Sequence, residues 1–241
     1  ELDNNGYSGE YQFKEDITEK LKKEFIKNID YSIVTFKDGK NQRLKNDDLI
    51  ISQFNYEKVL KEKKIYIIKS SVKIKKESFL YGFINSNYII NLAKSYLNYN
   101  KLSVNCSIFF SNNNLENERI NSKLLSMSAQ KFHFDVDYRK FFKILIYFVD
   151  VNNNKDGSHI FIPTSHKKKY REHLITSRFE DEEIEVKYPY KKIFLGKQGT
   201  FFFVDTFGYH KGSTVINKPR LAAFIEFGRG HFKLTDNTIF I

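Results

Sequence analysis

Gly199-Thr200-Phe201-Phe202-Phe203-Val204-Asp205 reads as a buried strand entered through a glycine turn. Its β-branched and aromatic run leaves almost no polar side, so both faces of such a strand have to be covered by other parts of the chain. The same texture recurs in Val104 to Phe110, Lys131 to Val136, Ile144 to Val149, His159 to Ile162 and Leu221 to Phe227. Turn residues separate the runs, most clearly Asn112 to Asn114 and Asn152 to Gly157. Short strands punctuated in this way from Ser103 onward predict an all-β sandwich or barrel.

The N-terminal part has a different period. Ile17, Leu21, Phe25 and Ile29 recur every four residues among Glu and Lys, the stripe of an amphipathic helix. A second helix is expected from about Asn87 to Leu97, with Ile89, Ile90, Ala93 and Leu97 on one side. The first ten residues, with Asn4, Asn5, Gly6 and Gly9, read as a loose leader. Residues 166–198 are polar, charged and long for a connection, which predicts a lid or a helical insertion. At 241 residues the chain is expected to form one mainly β domain over 1–241, with helices flanking a double-stranded β core.

Composition narrows the function classes. Hydrophobic residues make up 41% and aromatic residues 16% of the chain, which points to a folded globule. The single cysteine, Cys106, excludes an internal disulfide framework and lies in an apolar-leaning run, as a buried inert thiol would. No window has the length and apolarity of a membrane span, and the start lacks a signal-like apolar stretch; a cytoplasmic protein is expected. The formal net charge of +11 favours an anionic partner. Nucleic acid is disfavoured, because the lysines are scattered, and clusters such as Lys61 to Lys64 and Lys167 to Lys169 read as solvated faces. Nothing indicates a protein partner.

In Phe132-His133-Phe134-Asp135 the imidazole and the carboxylate are two apart in a strand-like run, so they point to the same face. They make two corners of the two-His-one-carboxylate set that holds non-heme iron(II), although an exposed strand edge gives the same pattern. His210 lies between Gly208 and Gly212, where a tight backbone can bring it close to a site as a third ligand. Arg220 heads the run Leu221 to Phe227. There its guanidinium is a planar fork for a carboxylate or an ordinary surface charge at a strand end.

Together these residues carry a resemblance. Gln130-x-x-His133-x-Asp135, Gly157-Ser158-His159-Ile160-Phe161-Ile162-Pro163-Thr164-Ser165-His166-Lys167, then Gly199 to Asp205, His210-x-Gly212 and Arg220 resemble, in this order, the phytanoyl-CoA dioxygenase family. The similarity runs from about Ile17 to Phe227. Three departures are visible: Phe132 stands where Trp is common, Thr164 stands where that family has the glycine of Pro-Gly-Ser-His, and the connection between His166 and Gly199 follows no pattern of that family. The resemblance implies a double-stranded β-helix, the cupin-like jelly-roll. It implies His133, Asp135 and His210 as ligands of Fe(II), 2-oxoglutarate as co-substrate with Arg220 on its 5-carboxylate, and O2 as oxidant. Gln130 would reach the rim of the site, and Tyr147 and Lys143, on one face of the next strand, would assist Arg220. His166 belongs to the turn, while His159, His173 and His231 have no partner at metal spacing and read as ordinary surface or core residues.

The expected reaction is hydroxylation of an unactivated C–H bond with release of succinate and CO2. The substrate is expected to be a small, anionic metabolite or glycan precursor, drawn in by Lys167 to Lys169. Two other classes stay open: a cupin-like metal-dependent isomerase or epimerase, and a non-catalytic jelly-roll binding module.

Overall fold

The computed structural model describes residues 1–45, 65–113, 122–138, 140–169, 173, 177–229 and 236–241. The first half of the chain gives α1 (Leu2–Asn5), β1 (Tyr7–Gln12), α2 (Glu15–Lys27), β2 (Ile29–Phe36), β3 (Asn41–Lys45), β4 (Ile65–Val72), α3 (Phe79–Ile84), α4 (Asn87–Leu97) and β5 (Leu102–Ser111). The second gives α5 (Ser122–Met127), β6 (Phe141–Tyr147), β7 (His159–Phe161), α6 (Asp181–Lys187), β8 (Lys192–Phe194), β9 (Thr200–Val204), β10 (His210–Gly212), β11 (Arg220–Arg229) and β12 (Ile239–Phe240). A large antiparallel sheet has the order β1-β9-β6-β11-β5-β4-β2-β3, with β12 beside β5, and a small sheet has the order β10-β7-β8. An isolated bridge adds His133 to the small sheet at His210. Two facing sheets with flanking helices make the expected mainly β jelly-roll.

Strand alternation gives the large sheet two unlike faces. On β5, Val104, Cys106, Ile108 and Phe110 enter the main core together with Ile144, Ile146, Phe203, Ala223 and Ile225 from neighbouring strands. Helices α2, α3 and α4 cover that face with Leu21, Phe25, Leu80, Ile84, Ala93 and Leu97, all fully buried. Each such large apolar side chain contributes ~1.5–3 kcal/mol by leaving water. On the opposite face Leu145, Tyr147, Phe202 and Val204 pack on Phe161 and Phe194 of the small sheet. Farther across, on β5, β4 and β2, this inner face becomes polar and walls a cavity. Cys106 is buried, and burial pushes its thiol pKa upward, as expected of an inert sulfur.

Strand β9 and helix α4 lie where the sequence places them. The first ten residues do not form a loose leader: α1 precedes β1, which pairs with β9 from Tyr7↔Val204 to Gln12↔Thr200. The polar sequence of β1 is that of an edge strand, and Tyr11 anchors it by stacking on Phe201 at 5.2 Å between centroids. The N-terminal part is also less helical than expected, because β2, β3 and β4 extend the large sheet. Ile29, read as the end of the α2 stripe, begins β2 instead. Lys131 to Val136 pairs only through bridges at Phe132 and His133. Within 166–198, α6 buries Ile184, and β8 pairs with β7; that half of the expected lid or insertion belongs to the scaffold. Lys61 to Lys64 and His231 lie outside the described residues.

Gly199 has φ +88, and a Cβ there would meet Thr18 Oγ1 at 2.4 Å, so the turn into β9 requires glycine. The departure at Thr164 has a backbone consequence, since this β-branched residue sits at φ 64 in the left-handed region that costs L-residues roughly 1–2 kcal/mol. Thr164→Gly should therefore raise stability. The gain is about 1 kcal/mol or less after the unfolded-state entropy of glycine is subtracted. In thermal unfolding that is a Tm increase of about 2–4 °C at most; a lowered Tm would contradict the strain.

Candidate metal centre

His133 and His210 are joined back to back through their main chains. His133 N donates to His210 O at 3.0 Å, and His210 N donates to His133 O at 2.8 Å. Two residues on, Asp135 N donates to Thr206 O at 2.8 Å. These backbone bonds bring the two imidazoles to 4.2 Å between centroids. His133 Nε2 lies 3.9 Å from Asp135 Oδ1, and His210 Nε2 lies 3.6 Å from Asp135 Oδ2. One ligand atom from each residue falls within 4.8 Å of the other two, a spacing that one metal ion can bridge.

The tautomers follow from the carbonyls behind the rings. His133 Nδ1 is 3.0 Å from Lys131 O, and His210 Nδ1 is 3.0 Å from Gly208 O. A carbonyl only accepts, so each Nδ1 carries the proton and each Nε2 turns a lone pair toward the centre. Burial, followed by the neighbouring His210, pushes the His133 pKa down to about 3; burial also lowers that of His210. Both rings are thus neutral near pH 7. For Asp135, burial opposes ionisation, but Lys143 and the two imidazoles outweigh it and hold the carboxyl well below the usual carboxylate range.

Lys143 is a ligand-orienting group rather than a partner of Arg220. From β6 its Nζ reaches Asp135 Oδ2 at 2.8 Å, Asp137 Oδ2 at 3.0 Å and Glu226 Oε2 at 2.8 Å. Burial would drive off its proton, yet Asp135, Glu226 and Asp137 together raise its pKa well above the ordinary lysine value. Its register partner on β11 is Glu226, six positions from Arg220, or roughly 20 Å along a strand. That separation overturns the expectation that Lys143 assists Arg220.

Arg220 enters the same cavity from the start of β11. Its Nη1 donates to Gly157 O at 2.5 Å, and its Nη2 donates to Ser111 Oγ at 3.3 Å. Gly157 has φ +81, and a Cβ on it would meet Val215 Cγ2 at 2.6 Å and Arg220 Cδ at 3.1 Å, so glycine lets Val215 and Arg220 close over this turn. Tyr147 lies behind this wall: its hydroxyl donates to Phe194 O at 3.0 Å and accepts from His159 N at 2.9 Å. Burial pushes the phenol up to about 12, so it stays a neutral brace. Gln130 is also held from behind, its Oε1 accepting from Tyr66 OH at 2.6 Å and Thr214 Oγ1 at 3.1 Å. Neither Tyr147 nor Gln130 is among the residues that wall the cavity.

Among the residues on that wall to which the sequence gives no site role are His159, Arg178 and Thr206. His159 is the clearest, with its ring 5.3 Å from that of His210. A usable signal was its place two residues after the Gly157 turn, in the segment that has to lie opposite the distal His-x-Gly; the structure pairs His159 with Gly212. His173, by contrast, is a buried core histidine, with Nδ1 at 2.6 Å from Tyr209 OH. Burial and the nearby His210 and Arg220 hold the His159 pKa well below the ordinary imidazole value. Lys167, Lys168 and Lys169 do not wall the cavity. Lys169 Nζ instead donates to Ser165 O at 2.5 Å and lies over the rings of Phe134, Phe207 and Tyr209. The cavity holds about 520 Å³, enough for a metal ion and two small organic molecules.

The sequence matches no family model and no curated protein. Solved structures share the fold. HygX from Streptomyces hygroscopicus, with nickel and 2-oxoglutarate bound, aligns at TM-score 0.57 and 13% identity over 96% of this chain and 86% of that chain. AviO1 from Streptomyces viridochromogenes Tue57 aligns at TM-score 0.56 and 11% identity over 97% and 94%. EctD from S. alaskensis, with 2-oxoglutarate and 5-hydroxyectoine, aligns at TM-score 0.56 and 14% identity over 98% and 76%. Among the described residues no helix is long and apolar enough to cross a membrane.

Proposed function

We propose that this chain is an Fe(II)- and 2-oxoglutarate-dependent oxygenase of the phytanoyl-CoA dioxygenase type, which hydroxylates a small, anionic metabolite or glycan precursor in the cytoplasm. The reading is carried by one observation: His133, Asp135 and His210 converge at metal spacing on a cavity whose wall also holds Arg220. Two neutral imidazoles and a carboxylate are the donor set suited to non-heme iron(II). Three buried polar atoms without a hydrogen-bond partner, His159 Nε2, Thr206 Oγ1 and Arg220 Nε, belong to residues on the same wall. Each orphan costs about 1–3 kcal/mol, so a polar guest is the natural complement. The nickel and 2-oxoglutarate carried by the HygX structure support the same guests here.

With O2, the bound metal and co-substrate would couple decarboxylation of 2-oxoglutarate to succinate with insertion of one oxygen atom into a substrate C–H bond. The chain's own tasks are more limited. His133 and His210 present fixed lone pairs, and Lys143 keeps the Asp135 carboxylate ionised and oriented. Arg220 offers a partly buried cation to the distal carboxylate of the co-substrate, and the aromatic packing of Phe161, Phe194, Phe202 and Phe224 keeps water from that end.

The substrate has the polar stretch of the cavity, where Thr35, Lys69, Ser71, Asn105 and Ser107 line the inner face of the large sheet. Lys143 is held by its carboxylates and Arg220 is assigned to the co-substrate; the other cationic side chains on the wall are Arg178 and Lys69, the latter 5.3 Å from the centre of the Phe109 ring. They replace Lys167 to Lys169 as the groups that would hold an anion. The test is a screen of succinate formation from 2-oxoglutarate and iron(II) against pooled metabolites. Coupled turnover supports the reading; turnover of a metabolite without succinate would move the chain to the isomerase class. With the substrate in hand, Lys69→Gln should raise its KM about tenfold, as loss of one hydrogen bond to a charged group does. The effect should shrink as salt rises past ~0.1 M. A KM indifferent to both changes would remove the anionic part of the proposal.

A further inference from the structure

We propose that His159 is a co-substrate-binding residue whose Nε2 donates a hydrogen bond to the distal carboxylate of 2-oxoglutarate beside Arg220. This rests on the oxygenase reading above and adds a residue to it.

The position comes from strand pairing. His159 opens β7 opposite Gly212 of β10, two residues beyond the metal-facing His210 and two beyond Gly157, against which Arg220 packs. Its ring stands on the cavity wall that also holds His210 and Arg220. It lies 5.3 Å from the His210 ring, 5.5 Å from Phe194 and 6.2 Å from Phe224. The backbone is pinned, because His159 N donates to Tyr147 OH at 2.9 Å and that hydroxyl donates to Phe194 O at 3.0 Å. A core histidine held this firmly would be expected to spend both ring nitrogens on protein partners, as His173 does on Tyr209 and Lys187. His159 does not: it is 4% exposed, and its Nε2 has no partner.

The other half of the argument is what Arg220 lacks. Two of its N–H bonds go to Gly157 O and Ser111 Oγ, while Nε is buried without a partner. An ionised carboxylate offers about four lone-pair sites, more than the free edge of this anchored guanidinium satisfies. A neutral imidazole N–H on the same wall supplies another donor without adding a second buried charge. Two unpartnered buried nitrogens on one wall, His159 Nε2 and Arg220 Nε, thus match one doubly accepting ligand group.

The experiment compares wild type, His159→Leu and His159→Gln, loaded anaerobically with iron(II). Dissociation constants are measured for the metal, for 2-oxoglutarate and for pyruvate, which keeps the chelating end and lacks the distal carboxylate. His159→Leu should weaken 2-oxoglutarate about ten- to a hundredfold, leaving iron and pyruvate affinities at wild-type values. His159→Gln, whose amide can donate from a similar place, should recover part of the loss. In zinc-loaded wild type, a slowly exchanging His159 Nε2–H resonance should emerge on adding 2-oxoglutarate but not pyruvate. An unchanged 2-oxoglutarate constant in His159→Leu, or equal weakening of pyruvate, overturns the role of His159 while leaving the oxygenase reading intact. Wild type that takes no 2-oxoglutarate would bring down both.

Discussion

Changing His133 or His210 to Ala is expected to abolish binding of one iron(II) per chain. The weak visible band that 2-oxoglutarate should give with the iron-loaded protein under anaerobic conditions goes with it. Loss of a partner behind a ligand already costs about 10–100-fold in metal affinity, and loss of the ligand itself exceeds that. The fold should survive both changes, because the main-chain bridge between residues 133 and 210 does not use the rings. Removing the ring leaves Asp135 held by Lys143 with one imidazole, a two-point site. A wild-type band in both variants would refute the ligand assignment. The same site predicts how affinity follows pH. Exposed imidazoles titrate near 6.5, and a pair of them would lose metal steeply below that value. Burial has pushed His133 down to about 3 and lowered His210, so affinity should stay nearly flat from about pH 8 to below pH 6.5. The cost of that arrangement falls on the metal-free fold. A histidine whose folded pKa is depressed takes up more protons unfolded than folded between the two values, so stability declines as pH falls from about 6.5 toward about 3. Thermal unfolding of the metal-free protein across this window checks the sign.

The parts of this molecule that the sequence made legible are those governed by local period. Thr200 to Val204 has no polar face, and it is the strand β9, paired on one side with β1 and on the other with β6; Asn87 to Leu97 has a helical stripe, and it is α4. The His-x-Asp spacing identified two ligands because alternation alone puts them on one face. Where the deciding partner is remote in the chain, the reading failed for that reason. Tyr7 to Gln12 looks like solvent-exposed chain until β9, almost 200 residues away, is set beside it. Lys143 has an unremarkable neighbourhood in sequence, and its meaning comes from Asp135, Asp137 and Glu226, which two stretches of backbone, residues 135–137 and β11, bring to one nitrogen. In the sequence His159 has no partner at metal spacing and reads as an ordinary residue. It is indeed outside the ligand group, but metal spacing carries no information about a residue on the cavity wall. Lys167 to Lys169 mislead in the other direction: adjacency to a motif suggests adjacency to the site, and none of the three walls the cavity.

Arg220→Lys should weaken 2-oxoglutarate by roughly 30- to 5,000-fold, the range that about 2–5 kcal/mol for breaking a desolvated charge pair implies. The structure gives the reason that retaining the charge is not enough. The guanidinium spends one N–H on Gly157 O and one on Ser111 Oγ, which fixes its plane and leaves Nε and the remaining N–H groups to meet a carboxylate along an edge. An ammonium has three donors on one atom and no plane. It can keep the anchoring bond to Gly157 or turn to the ligand, and it cannot reproduce two parallel bonds while doing either. It also leaves a gap over Gly157, against which the arginine stem packs. Iron affinity should be unchanged, because the triad is set by Lys131 O, Gly208 O, Thr206 O and Lys143. The measurement is anaerobic titration of the iron-loaded variant with 2-oxoglutarate, alongside a separate metal titration. Equal loss of metal and co-substrate would mean that Arg220 supports the cavity as a whole. An unchanged co-substrate constant would mean that the carboxylate is held elsewhere on the wall, and His159 would then be the first residue to test alone.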